Sequence, residues 1–303
     1  MDSRDTVRLE RSPSLAPMYG KAILSALPLT RGSRRGCSDD ARVPERVLEL
    51  DGVRLDPRHL DRYRTVCGFT TGPAVPATYL HVLAFPLHLQ LMTAPDFPFA
   101  PMGVVHIANT IEQCRPLCVD DSPRITVRAT GLADHPRGQT ITVVSEGWLD
   151  DVLVWRDESV FLSRGRGSAG PGDAPDQPDA PEHPDEAPVG PLRWKLAGSL
   201  GRRYAAVSGD RNPIHLSGLT ARAFGFRSAI AHGMWTKARC LAELGPRLPD
   251  TYRVAVGYRK PVPLPSTVCF GARGAVRDGA LDFGLTAGSS GSPHLIGRVT
   301  PLA

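Results

Sequence analysis

Asp210, Asn212 and His215 lie within six residues of one another, with Arg211, Pro213 and Ile214 between them. Pro213 pins its own backbone angle and pushes Asn212 out of helical space. The result is a rigid loop from which a carboxylate and an imidazole can converge. Such a pair can control one water, one group taking a proton while the other gives one. Further on, His232-Gly233 leads into Met234–Leu244, an apolar-periodic run that reads as a helix stopped by Gly245-Pro246. The Gly233 N–H is then an unpaired donor at the positive end of the helix dipole. Its missing side chain lets a substrate carbonyl come close. An acid/base pair, a rigid loop and an oxyanion donor suit the addition or removal of water beside a carbonyl such as a thioester's. Taken alone, Asp-x-Asn-Pro-x-His also fits an Asx-turn with a packed histidine. That reading leaves Ala231-His232-Gly233-Met234 at a helix start unexplained.

Other chemistry-bearing patterns are weaker. Gly165, Gly167 and Gly170 match G-x-G-x-x-G. A dinucleotide fingerprint needs a helix directly after it, and an acidic, proline-rich stretch stands there instead. The sequence has no G-x-S-x-G, H-E-x-x-H or P-loop pattern. Six cysteines form no C-x-x-C pair, and no histidine group has zinc spacing, so reduced thiols and no metal are expected. His81, His88 and His106 lie on apolar elements and read as packed histidines.

The elements that must position these residues come in two similar sets. After Met234–Leu244, Tyr252, Val254, Val256 and Tyr258 alternate with Arg253, Ala255 and Gly257, a strand with one buried face. Strands at 267–276, 280–287 and 294–300 come next, with a tight turn at Arg277-Asp278-Gly279. Earlier, an apolar helix-like run covers Val82 to Met92, broken or kinked by Pro86. Such an interruption would leave an apolar pocket. Strands are expected at 104–111, 124–131, 139–149 and 152–163. One helix and a meander of strands, twice, predict antiparallel sheets each wrapped round a helix, an α+β fold. The expected divisions are an arm or lead-in at 1–50, a first half at 51–163, a linker at 164–191 and a second half at 192–303. The linker holds seven prolines and several acids, a composition that cannot offset its ordering entropy by burial.

Composition excludes several classes. The chain has 303 residues, 41% apolar and 22% charged, ordinary for a globular protein and ample for a core without disulfides or metal. No apolar run reaches a membrane span, since Tyr79–Met92 is interrupted by His81, Pro86, His88 and Gln90. Met1–Arg11 is charged throughout, so no secretory signal peptide and a cytoplasmic location are expected. Net charge is +5 although residues 171–190 are purely acidic among their charged residues. That suits an anionic ligand. No basic run is interleaved with aromatic residues, so nucleic acid is not an expected partner.

Residues 204–234 closely resemble the hydratase motif of the MaoC-like family, (R)-specific enoyl-CoA hydratases and 3-hydroxyacyl-thioester dehydratases with a hot-dog fold. With the motif only in the second half, the whole chain resembles the double hot-dog dehydratases of actinobacterial fatty-acid metabolism. The stretches His81–Met92 and Val105–Asn109 look like that subgroup. The resemblance implies a double hot-dog, two sheets each round a central helix, with 51–163 the non-catalytic half. It implies reversible hydration of trans-2-enoyl thioesters to (3R)-3-hydroxyacyl thioesters. Asp210 and His215 would be the catalytic pair, Asn212 the support of loop or water, and Gly233 the oxyanion donor. Ser208, His232 and Met234 would border the substrate. Arg211 departs from the pattern, standing where many relatives have an aromatic residue. No separate cofactor is implied, because CoA or the phosphopantetheine of an acyl-carrier protein enters with the substrate. A homodimer of such chains is a further expectation. The alternative reading is a non-catalytic acyl-thioester-binding subunit, against which the intact Asp210, His215 and Gly233 set stands. A hot-dog thioesterase would need an acid on the central helix, and Met234–Ala242 has none.

Overall fold

Of the alternation expected along 252–258, Tyr252, Val254 and Val256 are buried at 4% exposure or less, but Ala255 and Gly257 are buried as well and Tyr258 is half-buried, because both faces of the strand are covered. They lie on one of eleven strands in the computed structural model, which describes residues 5–26, 42–164 and 186–302. In chain order the elements are β1 (Thr6–Leu9), α1 (Leu15–Ala26), β2 (Val47–Leu50), α2 (Pro57–Cys67), α3 (Ala77–Met92) and β3 (Val104–Gln113). Next come β4 (Arg124–His135), β5 (Gly138–Leu149), β6 (Val152–Arg164), β7 (Leu192–Leu196), α4 (Leu200–Ser208), α5 (Pro213–Leu216) and α6 (Gly218–Ala223). The chain continues through α7 (Gly233–Leu244), β8 (Tyr252–Tyr258), β9 (Ser266–Ala275), β10 (Ala280–Ala287) and β11 (Pro293–Pro301).

Two compact units result. The first holds the described residues of Met1–Val53, Leu83–Ile107 and Ser122–Ala180. Its strands run in the order β1-β2-β4-β5-β6, parallel between β1 and β2 and antiparallel elsewhere. Ala84, Leu87 and Leu91 of α3 pack with Ile125, Val127, Ile141 and Val143 of the sheet. Helix α3 runs unbroken through Pro86 for 16 residues. The expected break does not occur. Proline removes only one i→i−4 bond, and Leu87 and Leu91, fully buried beyond it, hold the helix in register. The described part of residues 1–50, expected as an arm or lead-in, supplies β1 and β2 to this sheet. Met18, Tyr19 and Ala22 of α1 join Leu89 and Met102 in a core cluster.

The second unit holds the described residues of Arg54–Val82, Ala108–Asp121 and Pro181–Ala303. Its antiparallel strands run β3-β8-β11-β10-β9-β7, where β3 takes part from Ala108 onward. Helix α7 lies against β10, with Ala238, Cys240, Leu241 and Leu244 buried at 1% or less. These units cut across the sequence halves, because β3 pairs with β8 in the register Ala108↔Gly257 to Gln113↔Tyr252. Residues more than 130 positions apart are thus neighbours, which no local pattern announces. The Lys237 ammonium of α7 sits in this contact. It is fully buried and donates to Asn109 Oδ1 (2.5 Å), Asn109 O (3.3 Å) and Val254 O (3.1 Å). Helix α2, opened by the Asp56 cap and Pro57 and closed by Gly68 at φ 81°, packs on α4 in the same unit.

The linker expected at 164–191 falls mostly outside the described residues. Cys67, Cys114, Cys118, Cys240 and Cys269 are free thiols. Among the described residues no helix is long and apolar enough to cross a membrane.

Candidate active site

Asp210 is placed by a helix end. Gly209, at φ 76°, caps α4 in the left-handed region and returns its N–H to Ala205 O. The chain therefore turns sharply, and three short bonds stiffen the loop from 210 to 214. The Asp210 N–H donates to Ser208 Oγ (3.2 Å), the Asn212 N–H to Asp210 Oδ1 (3.1 Å) and the Ile214 N–H to Asn212 Oδ1 (3.3 Å). Asn212 thus caps α5 with Pro213 at its first position, which fixes His215 one turn away. Gly201 of α4 lies directly against the His215 carbonyl, and any side chain at 201 would overlap that oxygen.

His215 Nδ1 is 2.8 Å from Ile230 O. A carbonyl only accepts, so Nδ1 carries the proton and Nε2 of the neutral ring offers a lone pair. That Nε2 lies 4.0 Å from Asp210 Oδ2. The gap is too long for a direct bond. Two acceptors that share one water at ordinary hydrogen-bond lengths stand about 4.4 Å apart, so the pair is spaced to hold a water between them. The Asp210 side chain is 29% exposed and the His215 side chain 9%, so the carboxylate faces the open side.

His232 stacks on His215, ring centroids 3.6 Å apart, and its ring also meets Tyr204 at 4.8 Å. Its Nε2 is 2.9 Å from Asp210 O and donates to it. Its Nδ1 is buried with no hydrogen-bond partner. Burial, then the His215 imidazole, pushes the His232 pKa down to about 3, against the pull of Asp210. Burial also lowers His215 below its ordinary value, with Asp210 and the bond to Ile230 O opposing. Burial works to raise Asp210, but His232, His215 and the Asn212 N–H hold it below the usual carboxylate range. At neutral pH the site is one carboxylate and two uncharged imidazoles. The Asp210, His215 and His232 donor atoms are close enough to suggest a metal cluster. His232 Nε2 already donates to a carbonyl, and the His215 and His232 rings lie face to face. With its Nε2 proton committed to that carbonyl, His232 offers no lone pair there, so the trio does not fit a metal ion.

Gly233 opens α7 with His232 as the capping residue and no side-chain cap. A Cβ at Gly233 would come within 3.0–3.2 Å of the Tyr258 ring. Met234, expected at the substrate, is buried, and its sulfur accepts the Tyr258 hydroxyl at 3.4 Å. Ser208 and His232, also expected there, are both buried and hold the Asp210 backbone through Ser208 Oγ and His232 Nε2. Tyr204 and Tyr258 join the site without having been expected there. The alternation along β8 marks Tyr258 as facing one side of the sheet, but not that the side is the start of α7. Residues of the first half, expected to complete a pseudo-dimer with the catalytic half, share its unit. His59 Nδ1 pairs with the Tyr79 hydroxyl (2.7 Å), the Tyr63 ring lies beside Tyr204, and the Trp235 Nε1–H donates to Val66 O (3.0 Å).

Residues 179–274, which contain Asp210, Asn212, His215, His232, Gly233 and Tyr258, match the MaoC like domain. The 3-hydroxyacyl-thioester dehydratase X of Mycobacterium tuberculosis is 38% identical over 262 residues, 86% of this chain and 91% of that protein. The chain belongs to the MaoC-like family. Among solved MaoC-like and related structures, HtdX of M. tuberculosis superposes with a TM-score of 0.73 at 36% identity, covering 85% of this chain and all of that one. An M. tuberculosis protein described as a double hot-dog fold shares the architecture, with a TM-score of 0.53 at 15% identity, covering 84% and 95%. The α+β double hot-dog expected from the MaoC-like motif is the fold of this chain.

Proposed function

We propose that the chain is a hydro-lyase that reversibly hydrates trans-2-enoyl thioesters to (3R)-3-hydroxyacyl thioesters, with the acyl group on CoA or an acyl-carrier protein. The observation that carries this reading is the 4.0 Å gap between Asp210 Oδ2 and a His215 Nε2 whose lone pair is fixed by the bond from Nδ1 to Ile230 O. The family relatives named as dehydratases support it.

In the hydration direction, a water between Asp210 and His215 adds its oxygen to C3. His215 Nε2 takes one proton from that water, and Asp210 accepts the other hydrogen in a hydrogen bond and balances the imidazolium. The C2=C3 electron pair moves through an enolate, whose oxygen is held by the Gly233 N–H at the positive end of α7. The imidazolium then returns its proton to C2, so both additions occur from one face. Dehydration is the reverse. Asp210 remains a carboxylate throughout, because its surroundings favour the ionised form. His232 keeps the Asp210 backbone in place, and Asn212 keeps the loop closed.

Monitoring loss of the enoyl-thioester absorbance with crotonyl-CoA, with and without a thiol trap, tests the proposal. Hydration removes the band and releases no thiol. Thiol release would instead indicate hydrolysis, and binding without either change would indicate an acyl-thioester-binding subunit.

A further inference from the structure

The most one-sided feature of the second unit outside the Asp210–His215 pair is its charge. Asp210 is the only acid between residues 192 and 242. On the strands of this unit several arginines are neutralised: Arg253 meets Glu112, and Arg298 binds Asp282. On α4, on α6 and in the turn after it they are not. Arg202, Arg203, Arg222 and Arg227 are exposed, and among the described residues none forms an ion pair.

Local geometry gathers several of them. Arg202 Nη1 donates to Leu216 O at 3.0 Å, which sets its guanidinium at the junction of α5 and α6. Ser217 caps α6 there, accepting the Thr220 N–H at 3.1 Å. Leu219, 80% exposed, and Arg222 are three residues apart on α6 and so project from the same side. Phe224, 38% exposed, comes next. Gly225 at φ 86° then turns the chain so that the Phe226 N–H meets Ala221 O, and Arg227 leaves that turn.

We propose that Arg202, Leu219, Arg222, Phe224 and Arg227 form the docking face for an acidic carrier protein that presents the acyl thioester on a phosphopantetheine arm. The proposal rests on the thioester reading above and names the partner. The charge is complementary to a carboxylate-rich protein surface. Exposed leucine and phenylalanine between cations suit a protein contact with an apolar centre and a charged rim. The phosphates of free CoA would gain nothing from Leu219. The face is built on α4, α6 and the turn after α6, next to the loop and α5 that carry Asp210 and His215.

The test uses the full chain, the double variant Arg222→Glu/Arg227→Glu and the variant Leu219→Asp. Crotonyl groups are supplied on CoA and on a purified bacterial acyl-carrier protein. Anisotropy of the labelled crotonyl carrier protein reports binding independently of turnover. Each variant is expected to weaken carrier binding by about tenfold or more and to raise KM for the carrier substrate with kcat kept. Activity on crotonyl-CoA should stay within about twofold, and carrier binding to the unaltered chain should weaken steeply with salt. Unchanged carrier binding in both variants overturns the proposal, and so does an equal loss on both substrates, which would place CoA phosphates on this face. If the unaltered chain hydrates neither substrate but binds the carrier protein in an Arg222-dependent way, the hydratase reading fails and the docking face stands.

Discussion

The imidazoles of His215 and His232 lie face to face, centroids 3.6 Å apart at 24°. Two stacked rings this close cannot both be cationic. His232, 2% exposed, stays neutral down to about pH 3, which leaves His215 free to gain and lose the single proton that the reaction moves. His232 therefore stabilises the loop and also keeps a second charge away from the base.

Replacing either member of the water-holding pair tests its role. Asp210→Asn and His215→Ala are expected to fold, with unchanged far-ultraviolet circular dichroism, and to lose about 10²–10⁴-fold in kcat. Activity within a few-fold of the unaltered chain in either variant contradicts the assignment.

The pH dependence has a definite sign. Hydration needs a neutral His215, whose pKa lies below 6.5, and an ionised Asp210, held below 3.8. The rate of hydration at low substrate should be flat through neutrality and fall only below pH 6.5, with its acid limb set by His215. An acid limb at or above pH 6.5 would mean that burial does not govern His215.

Stability should track the same groups. The folded chain resists protonating His232, whereas the unfolded chain takes the proton near pH 6.5, so unfolding binds protons and stability falls as pH drops from 6.5 towards about 3. Asp210, depressed when folded, also loses its contribution as pH falls through its folded pKa. His232→Asn places a good capping residue at the start of α7 and should flatten the fall of Tm between pH 6.5 and 4. An equally steep fall in the variant would locate the proton uptake elsewhere.

Much of the site is legible in the sequence. The hairpins at 124–164 and 266–287, helix α7 and the loop from Ser208 to His215 arise from turn residues, alternation and one proline. The roles of Ser208, His232 and Met234 are not legible. A motif gives residue types, whereas the direction of each side chain depends on Tyr258 and on the Asp210 carbonyl, brought in by distant strands and turns. Helix α2, absent from the expected elements, carries its own signals in Asp56-Pro57 and Gly68. The strands β1, β2 and β7 are only four or five residues long, too short for alternation to stand out, and gain definition from pairing alone.

The tie between α7 and β3 predicts that residues 192–303 do not fold alone. That fragment would lose Asn109 and Val66, which accept from Lys237 and Trp235. In the full chain, Lys237→Met should cost about 1–3 kcal/mol in urea unfolding for each carbonyl left buried without a donor. A soluble, cooperatively folding and active 192–303 fragment would show that the first half is dispensable to the site.

Gly233→Ala isolates the start of α7. The added methyl meets the Tyr258 ring at 3.0–3.2 Å, so the ring must shift by a few tenths of an ångström. If the displaced ring misplaces the oxyanion donor, kcat falls, towards the loss of about 2.7–4 kcal/mol typical of removing one such donor. Tyr258→Leu in the same chain should restore part of the rate. No change in Gly233→Ala would show that the ring moves aside without disturbing the Gly233 N–H.

The central claim is that Asp210 and His215 together add one water to an enoyl thioester. The most direct measurement is turnover of crotonyl-CoA in H₂¹⁸O, with mass and chirality of the product determined for the unaltered chain and for His215→Ala. The account predicts one ¹⁸O at C3 of a (3R)-3-hydroxybutyryl-CoA, no free CoA thiol, and loss of that product in the variant. Labelled crotonate and free CoA, or undiminished (3R) product from His215→Ala, would contradict it.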